Sequence, residues 1–84
     1  MNTIKIGMSV VYSGAWGYAP NKSATIVGMT LTDEPRSKYG KTVKEVTVED
    51  VKANKVLFDL SDEHWCYANQ IRGINMVDKP TLVL

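Results

Sequence analysis

The chain is poor in groups that do chemistry. Its 84 residues include one cysteine, Cys66, and one histidine, His64. A lone cysteine closes no internal disulfide, which excludes a disulfide-held secreted scaffold. One cysteine and one histidine also fail to supply the ligand spacing of a zinc site, so neither metal nor organic cofactor is expected. No glycine-rich phosphate loop is present, because Gly14-x-x-Gly17 lacks the lysine-serine pair and the helix that such a loop opens. There is no apolar run of about 18 residues to cross a membrane. The first residues lack the basic segment followed by an apolar stretch that marks a signal peptide. These absences point to a cytoplasmic protein with no membrane partner. An excess of either charge is missing too, with 10 lysines and arginines against 9 acidic residues. The net charge is +1, so the chain as a whole does not attract duplex nucleic acid, whose affinity rests on many phosphate contacts.

What is present is the make-up of one small globular domain spanning residues 1–84, with 44% hydrophobic and 23% charged residues. A chain of this length buries only about 60% of its unfolded surface, so its core is modest. Residues 4–13 alternate. Ile4, Ile6, Met8, Val10 and Tyr12 are expected on one buried face, with Gly7 as a bend. The nine residues from Gly14 to Lys22 form a loop rich in glycine and carrying Pro20, yet it holds Trp16 and Tyr18. These two aromatics either cap the core or form a binding surface. Residues 23–32 are rich in β-branched side chains and read as a strand, with Gly28 marking a bulge. Residues 33–42 read as a polar loop. It carries Arg36, Lys38 and Lys41, the densest positive cluster, taken as a solvated hairpin tip.

Residues 43–52 are ambiguous. Thr47 followed by Asp50 resembles a helix N-cap, while Val46 and Val48 alternate as in a strand. The strand is favoured, as one arm of a hairpin with residues 55–60. Val56, Phe58 and Leu60 then face inward. The stretch His64-Trp65-Cys66-Tyr67-Ala68-Asn69-Gln70-Ile71 reads as a short aromatic strand followed by one turn. Trp65 and Tyr67 share a face, and Cys66 is read as a small buried hydrophobe. His64 is placed in an exposed turn, with Asp59, Asp62 and Glu63 as available carboxylate neighbours. Residues 73–77 form a further strand. The apolar tail at 81–84 is expected to add an edge strand or to pack on a second subunit, which predicts a homo-oligomer.

Together these elements predict an all-β fold, a small closed barrel of five or six strands with at most one or two helical turns. The series Gly7-x-x-Val10-x-Tyr12, Ala24-Thr25-Ile26-Val27, Val56-x-Phe58-Asp59-Leu60 and Trp65-x-Tyr67-Ala68-x-x-Ile71 resembles Src-homology-3-like barrels of the Tudor and KOW type over residues 7–77. The resemblance implies a loop after the first strand and a single helical turn before the last. The aromatic cage of Tudor domains and the glycine-centred KOW motif are not matched residue by residue. Gly14-Ala15-Trp16-Gly17-Tyr18-x-Pro20 with Trp65-x-Tyr67-x-x-Gln70-Ile71 also looks like small proteins of bacteriophages and their hosts. That likeness implies a phage protein acting in the host cytoplasm, on a host signal or a host protein.

The expected function is binding, not catalysis. Trp16, Tyr18, Trp65 and Tyr67, ringed by Asn21, Lys22, Asn69, Gln70 and Arg72, are expected to meet at one mouth. Flat aromatics stack on bases, amides read base edges and cations meet phosphate. A nucleotide or short oligonucleotide is the first ligand class. The alternative partner is a protein or extended peptide held in an aromatic groove.

Overall fold

The computed structural model describes residues 3–13, 21–37, 39–75 and 82–83. Among them the fold is all-β. Strand β1 (Thr3–Lys5) leads through a tight turn into β2 (Ser9–Tyr12). The turn is closed by Met8 N–H donating to Lys5 C=O over 3.2 Å. Gly7 takes φ +99°, the left-handed backbone that glycine reaches at no steric cost. This turn resets the alternation expected along 4–13. Ile4, Met8, Val10 and Tyr12 are buried, but Ile6 is thrown out to 45% exposure.

Strand β3 (Lys22–Leu31) is the longest element, and it serves two halves of the sheet. Its first residues pair with β2, from Ser9↔Thr25 to Tyr12↔Lys22. Its later residues pair with β6 (Val56–Leu60) and with β4 (Lys41–Val43). The register shifts between Ile26 and Gly28, so the strand bulges at Val27 and changes direction there.

Residues 43–52 correct the favoured strand-and-hairpin reading. Val43 ends β4, and β5 (Glu45–Thr47) is extended but pairs with β1, not with β6. Helix α1 (Val48–Lys52) follows. The helix wins because Thr47 and Asp50 form a capping box. Asp50 N–H donates to Thr47 Oγ1 at 3.1 Å, and Thr47 N–H donates to Asp50 Oδ2 at 3.2 Å. Val48 and Val51, three apart, then drop into the core on one helix face. The helix ends in a Schellman motif. Asn54 N–H donates to Val51 C=O and Lys55 N–H to Asp50 C=O, both at 3.0 Å, with Asn54 in the left-handed region at φ 58°.

Strand β6 continues through a turn into β7 (Trp65–Tyr67), a 3₁₀ turn (Ala68–Gln70), β8 (Ile71–Asn75) and β9 (Leu82–Val83). The larger sheet runs β7-β6-β3-β2-β8-β9 with β4 beside β3, and β1-β5 form a separate ribbon. Among the described residues the sheet stays open, where a closed barrel was expected. Strand β9 pairs with β8 of its own chain, the edge strand expected of the tail. The core lies inside this curved sheet, around Phe58, Ile4, Ile26, Met29 and Ile74, with Val48 and Val51 closing one end.

Candidate functional site

Alternation along β7 sorts its three residues by role. Cys66 pairs with Phe58 and is fully buried. Burial, then the nearby Asp62 carboxylate, pushes its thiol up to about 12, so the sulfur stays a neutral core group at ordinary pH. Trp65, opposite Asp59, and Tyr67, opposite Leu57, occupy the outer face. Their rings meet edge to face, with centroids 5.1 Å apart and planes at 81°. Trp65 is 43% exposed and Tyr67 is half-buried.

Beside Tyr67 lies an open groove of about 500 Å³. One wall is the segment 34–37, which contains a 3₁₀ turn at Pro35–Ser37; the other is Asn54, Tyr67 and Asn69. Both walls are fixed by backbone bonds. Glu34 N–H donates to Thr32 Oγ1 at 3.0 Å, and Glu34 C=O accepts from Ser37 N at 3.0 Å and from Ser37 Oγ at 2.7 Å. Thr32 is itself buried, and its N–H donates to Lys55 C=O at 2.7 Å. The loop can return so close to β3 only through a glycine. A Cβ on Gly40 would stand 2.4 Å from Leu31 O and 2.8 Å from Thr32 Cβ. On the far wall, Asn69 N–H donates to Asn54 Oδ1 at 3.1 Å, tying the helix end to the turn after β7. The Arg36 guanidinium and the Asn69 carboxamide have no hydrogen-bond or ion-pair partner among the described residues.

The residues expected at one mouth divide. Trp65, Tyr67 and Asn69 stand together on the outer face and lead into the groove. Lys22, Gln70 and Arg72 lie instead by the end of β2, Lys22 beginning β3 and Gln70 and Arg72 flanking Ile71. Lys22 pairs with Tyr12, and Tyr12 with Ile71. Gln70 is spent internally. Its Oε1 accepts from Tyr67 N at 2.9 Å and its Nε2 donates to Ser13 O at 3.2 Å. Arg72 donates to Ser13 Oγ at 3.1 Å and to Asn69 O at 3.4 Å. Asn21 and Lys22 are exposed. Trp16 and Tyr18 lie outside the described residues. Sequence reasoning missed Glu34, Arg36 and Asn54. Arg36 stood out as part of the densest positive cluster but was read as a loop tip. Asn54 carried its signal in the capping box ahead of it, which implies a helix end and a left-handed residue there.

A second polar cluster lies elsewhere. The Tyr12 hydroxyl donates a short hydrogen bond to Asp62 Oδ2 and lies 3.3 Å from His64 Nδ1. His64 Nδ1 is 3.6 Å from Asp62 Oδ2, the histidine–carboxylate pair weighed from the sequence. His64 N–H also donates to Asp62 Oδ1 at 3.2 Å. Burial, and after it the hydrogen bond to and the charge of the Asp62 carboxylate, together raise the Tyr12 phenol to about 12. The bond from Tyr12 holds the Asp62 carboxyl below its ordinary value. Among the described residues no group of three or more His, Cys, Asp or Glu is placed to hold a metal ion, and no helix is long and apolar enough to cross a membrane. The chain matches no protein-family model, no curated protein and no solved structure.

Proposed function

We propose that this protein is a non-enzymatic binding module whose ligand is a nucleotide or a short oligonucleotide, held in the groove between residues 34–37 and the Tyr67–Asn69 stretch. The observation that carries the reading is the grouping of chemically distinct parts in one groove. Tyr67, braced by Trp65, offers a ring for a base to stack on, worth about 1–3 kcal/mol. Asn69 brings a carboxamide able to pair with a base edge. Arg36 brings a guanidinium suited to phosphate. A volume of about 500 Å³ suits one nucleotide-sized ligand. Sequestration fits better than turnover, because the one thiol is buried, neutral and turned into the core. The curved sheet, with one 3₁₀ turn before β8, supports the Src-homology-3-like reading of the fold.

Thermal shift against a panel of nucleotides tests this. A ligand at one hundred times its dissociation constant stabilises the folded state by about 2.7 kcal/mol. The expected result is a rise in melting temperature with at least one nucleotide, lost in Arg36→Ala. No shift with any mononucleotide or short oligonucleotide, in a parent protein that melts cooperatively, rejects the proposal.

One observation favours the alternative of a peptide or host-protein partner. Strand β7 ends the sheet order, and among the described residues it pairs only with β6. An added extended segment would pair with that edge and lie against Trp65. Retention of a protein in pull-down, without any nucleotide shift, is the result that selects this reading.

A further inference from the structure

We propose that Glu34 makes the groove selective for ribonucleotides over deoxyribonucleotides, by accepting hydrogen bonds from the vicinal hydroxyls of ribose. The inference rests on the nucleotide reading of the groove and adds which sugar it takes. Its starting point is an acidic residue where a phosphate site has no use for one. Glu34 and Arg36 line the same wall of the groove, two residues apart. A carboxylate beside a phosphate costs affinity through like-charge repulsion, unless it meets a different part of the ligand.

Three observations separate Glu34 from an ordinary surface acid. Its backbone is fixed at both ends, by the bond from its N–H to Thr32 Oγ1 and by the two bonds that Ser37 donates to its carbonyl. Its carboxylate has no hydrogen-bond or ion-pair partner among the described residues. Lys55, whose carbonyl accepts from Thr32 N–H, turns its Nζ to Asp33 Oδ1 at 3.8 Å and not to Glu34. The groove therefore presents a ring, an amide, a cation and an anion. A nucleoside monophosphate has a matching set: a base, its edge, a phosphate and a sugar with two donating hydroxyls. An ionised carboxylate is acceptor-only, and both its oxygens can take a hydroxyl proton. Such charge-assisted bonds are stronger than neutral ones. An acidic side chain on ribose hydroxyls is a general solution to nucleotide recognition. One guanidinium against one carboxylate also limits the phosphate count, so the ligand class is a ribonucleoside monophosphate, not a polyphosphate.

Isothermal titration of the full chain with ribonucleoside monophosphates of the common bases, and with their deoxyribo counterparts, tests the inference. The parent is expected to bind the best ribo form about tenfold tighter than its deoxy counterpart, the worth of one hydrogen bond to a charged group. In Glu34→Ala the ratio is expected to fall to about one, because the acceptor that tells the 2′-hydroxyl from a hydrogen is gone. The backbone bonds of residue 34 do not use its side chain, so this variant is expected to melt as the parent does. Equal binding of ribo and deoxy forms by the parent overturns the role of Glu34 and leaves the groove standing as a nucleotide site. A tenfold preference that survives in Glu34→Ala overturns the role as well and moves sugar selection to another residue. If the parent binds no nucleotide at all, the groove reading itself falls, and this inference with it.

Discussion

Two polar clusters in this small protein are built from similar residue types and behave in opposite ways. In the first, Tyr12, Asp62 and His64 satisfy one another. The phenol is buried and donates a hydrogen bond to Asp62, and the carboxylate also accepts from the backbone N–H of His64. In the second, the groove beside Tyr67, the backbone is satisfied but the side-chain ends are not. Thr32, Ser37 and Asn54 spend their side-chain oxygens holding the two walls, while Arg36 and the Asn69 amide point at no partner among the described residues. A satisfied cluster stabilises the fold and has little left to offer a ligand. A braced but unsatisfied one adds little to stability and keeps its donors and acceptors for something else. The difference separates a structural cluster from a candidate binding one without appeal to residue type, since a tyrosine, a carboxylate and a cation or histidine occur in both.

The largest expected effect tests the first half of that comparison. Tyr12→Ala empties a site in the core and removes the donor to Asp62, so it is expected to cost about 3–5 kcal/mol in a urea unfolding experiment. Tyr12→Phe keeps the ring and loses only the hydroxyl, at about 1 kcal/mol, because Asp62 is open enough for water to replace the lost bond. Cys66→Ser comes next. It places a hydroxyl beside Phe58 in the core and is expected to cost about 1–3 kcal/mol, with the parent thiol slow to react with labelling reagents while the protein is folded. A fast native-state reaction at Cys66 contradicts its burial.

The Tyr12–Asp62 bond also sets a pH window. Tyr12 has its pKa raised from 10.0 to about 12, so its contribution is complete below pH 10.0 and is lost as pH climbs through about 12. Asp62 is shifted the other way, below its ordinary 3.8. Its contribution is complete above 3.8 and is lost only as pH falls through the lower folded value. Stability measured against pH is therefore expected to fall on both sides of a broad plateau. Tyr12→Phe is expected to flatten both limbs, the alkaline one more. An alkaline limb unchanged in Tyr12→Phe assigns that limb to other groups.

Much of the fold was legible in the sequence, because period-two alternation and turn residues are local signals. The strands at β3, β6 and β7, the bulge near Gly28 and the 3₁₀ turn at Ala68–Gln70 all follow from them. Residues 43–52 were harder, because valines at 46, 48 and 51 satisfy both a strand and a helix count. The capping box at Thr47 and Asp50 is the deciding local signal, and the hairpin that valine alternation favours does not form. Ile6 was misplaced because alternation was carried through Gly7, where the left-handed backbone breaks the count. The groove was less legible than the strands. It depends on a loop wall, 34–37, brought against residues some thirty positions later by the pairing of β3, β4 and β6. No local pattern announces that meeting. The same holds for Gln70, an apparent base reader whose two amide ends turn out to fasten Tyr67 and Ser13.

The smallest expected effect on stability is also the sharpest test of the comparison. Arg36 is exposed and makes no hydrogen bond or ion pair with another described residue. Its removal deletes neither core volume nor a bond that the fold relies on. Arg36→Ala is therefore expected to change unfolding free energy by no more than about 0.5 kcal/mol, the usual range for such surface positions. Its effect on binding is expected to be far larger. A guanidinium meeting phosphate makes charge-assisted hydrogen bonds worth about 1.5–3 kcal/mol, or roughly tenfold to a hundredfold in affinity. The two numbers come from one variant, by urea unfolding and by nucleotide titration, and their ratio is the quantity of interest. A fold-stabilising arginine would lose stability and binding together. A solvated loop tip would lose neither. Only an arginine reserved for a ligand loses binding alone, and Asn69→Ala, whose backbone N–H still reaches Asn54 Oδ1, is expected to repeat that pattern from the opposite wall.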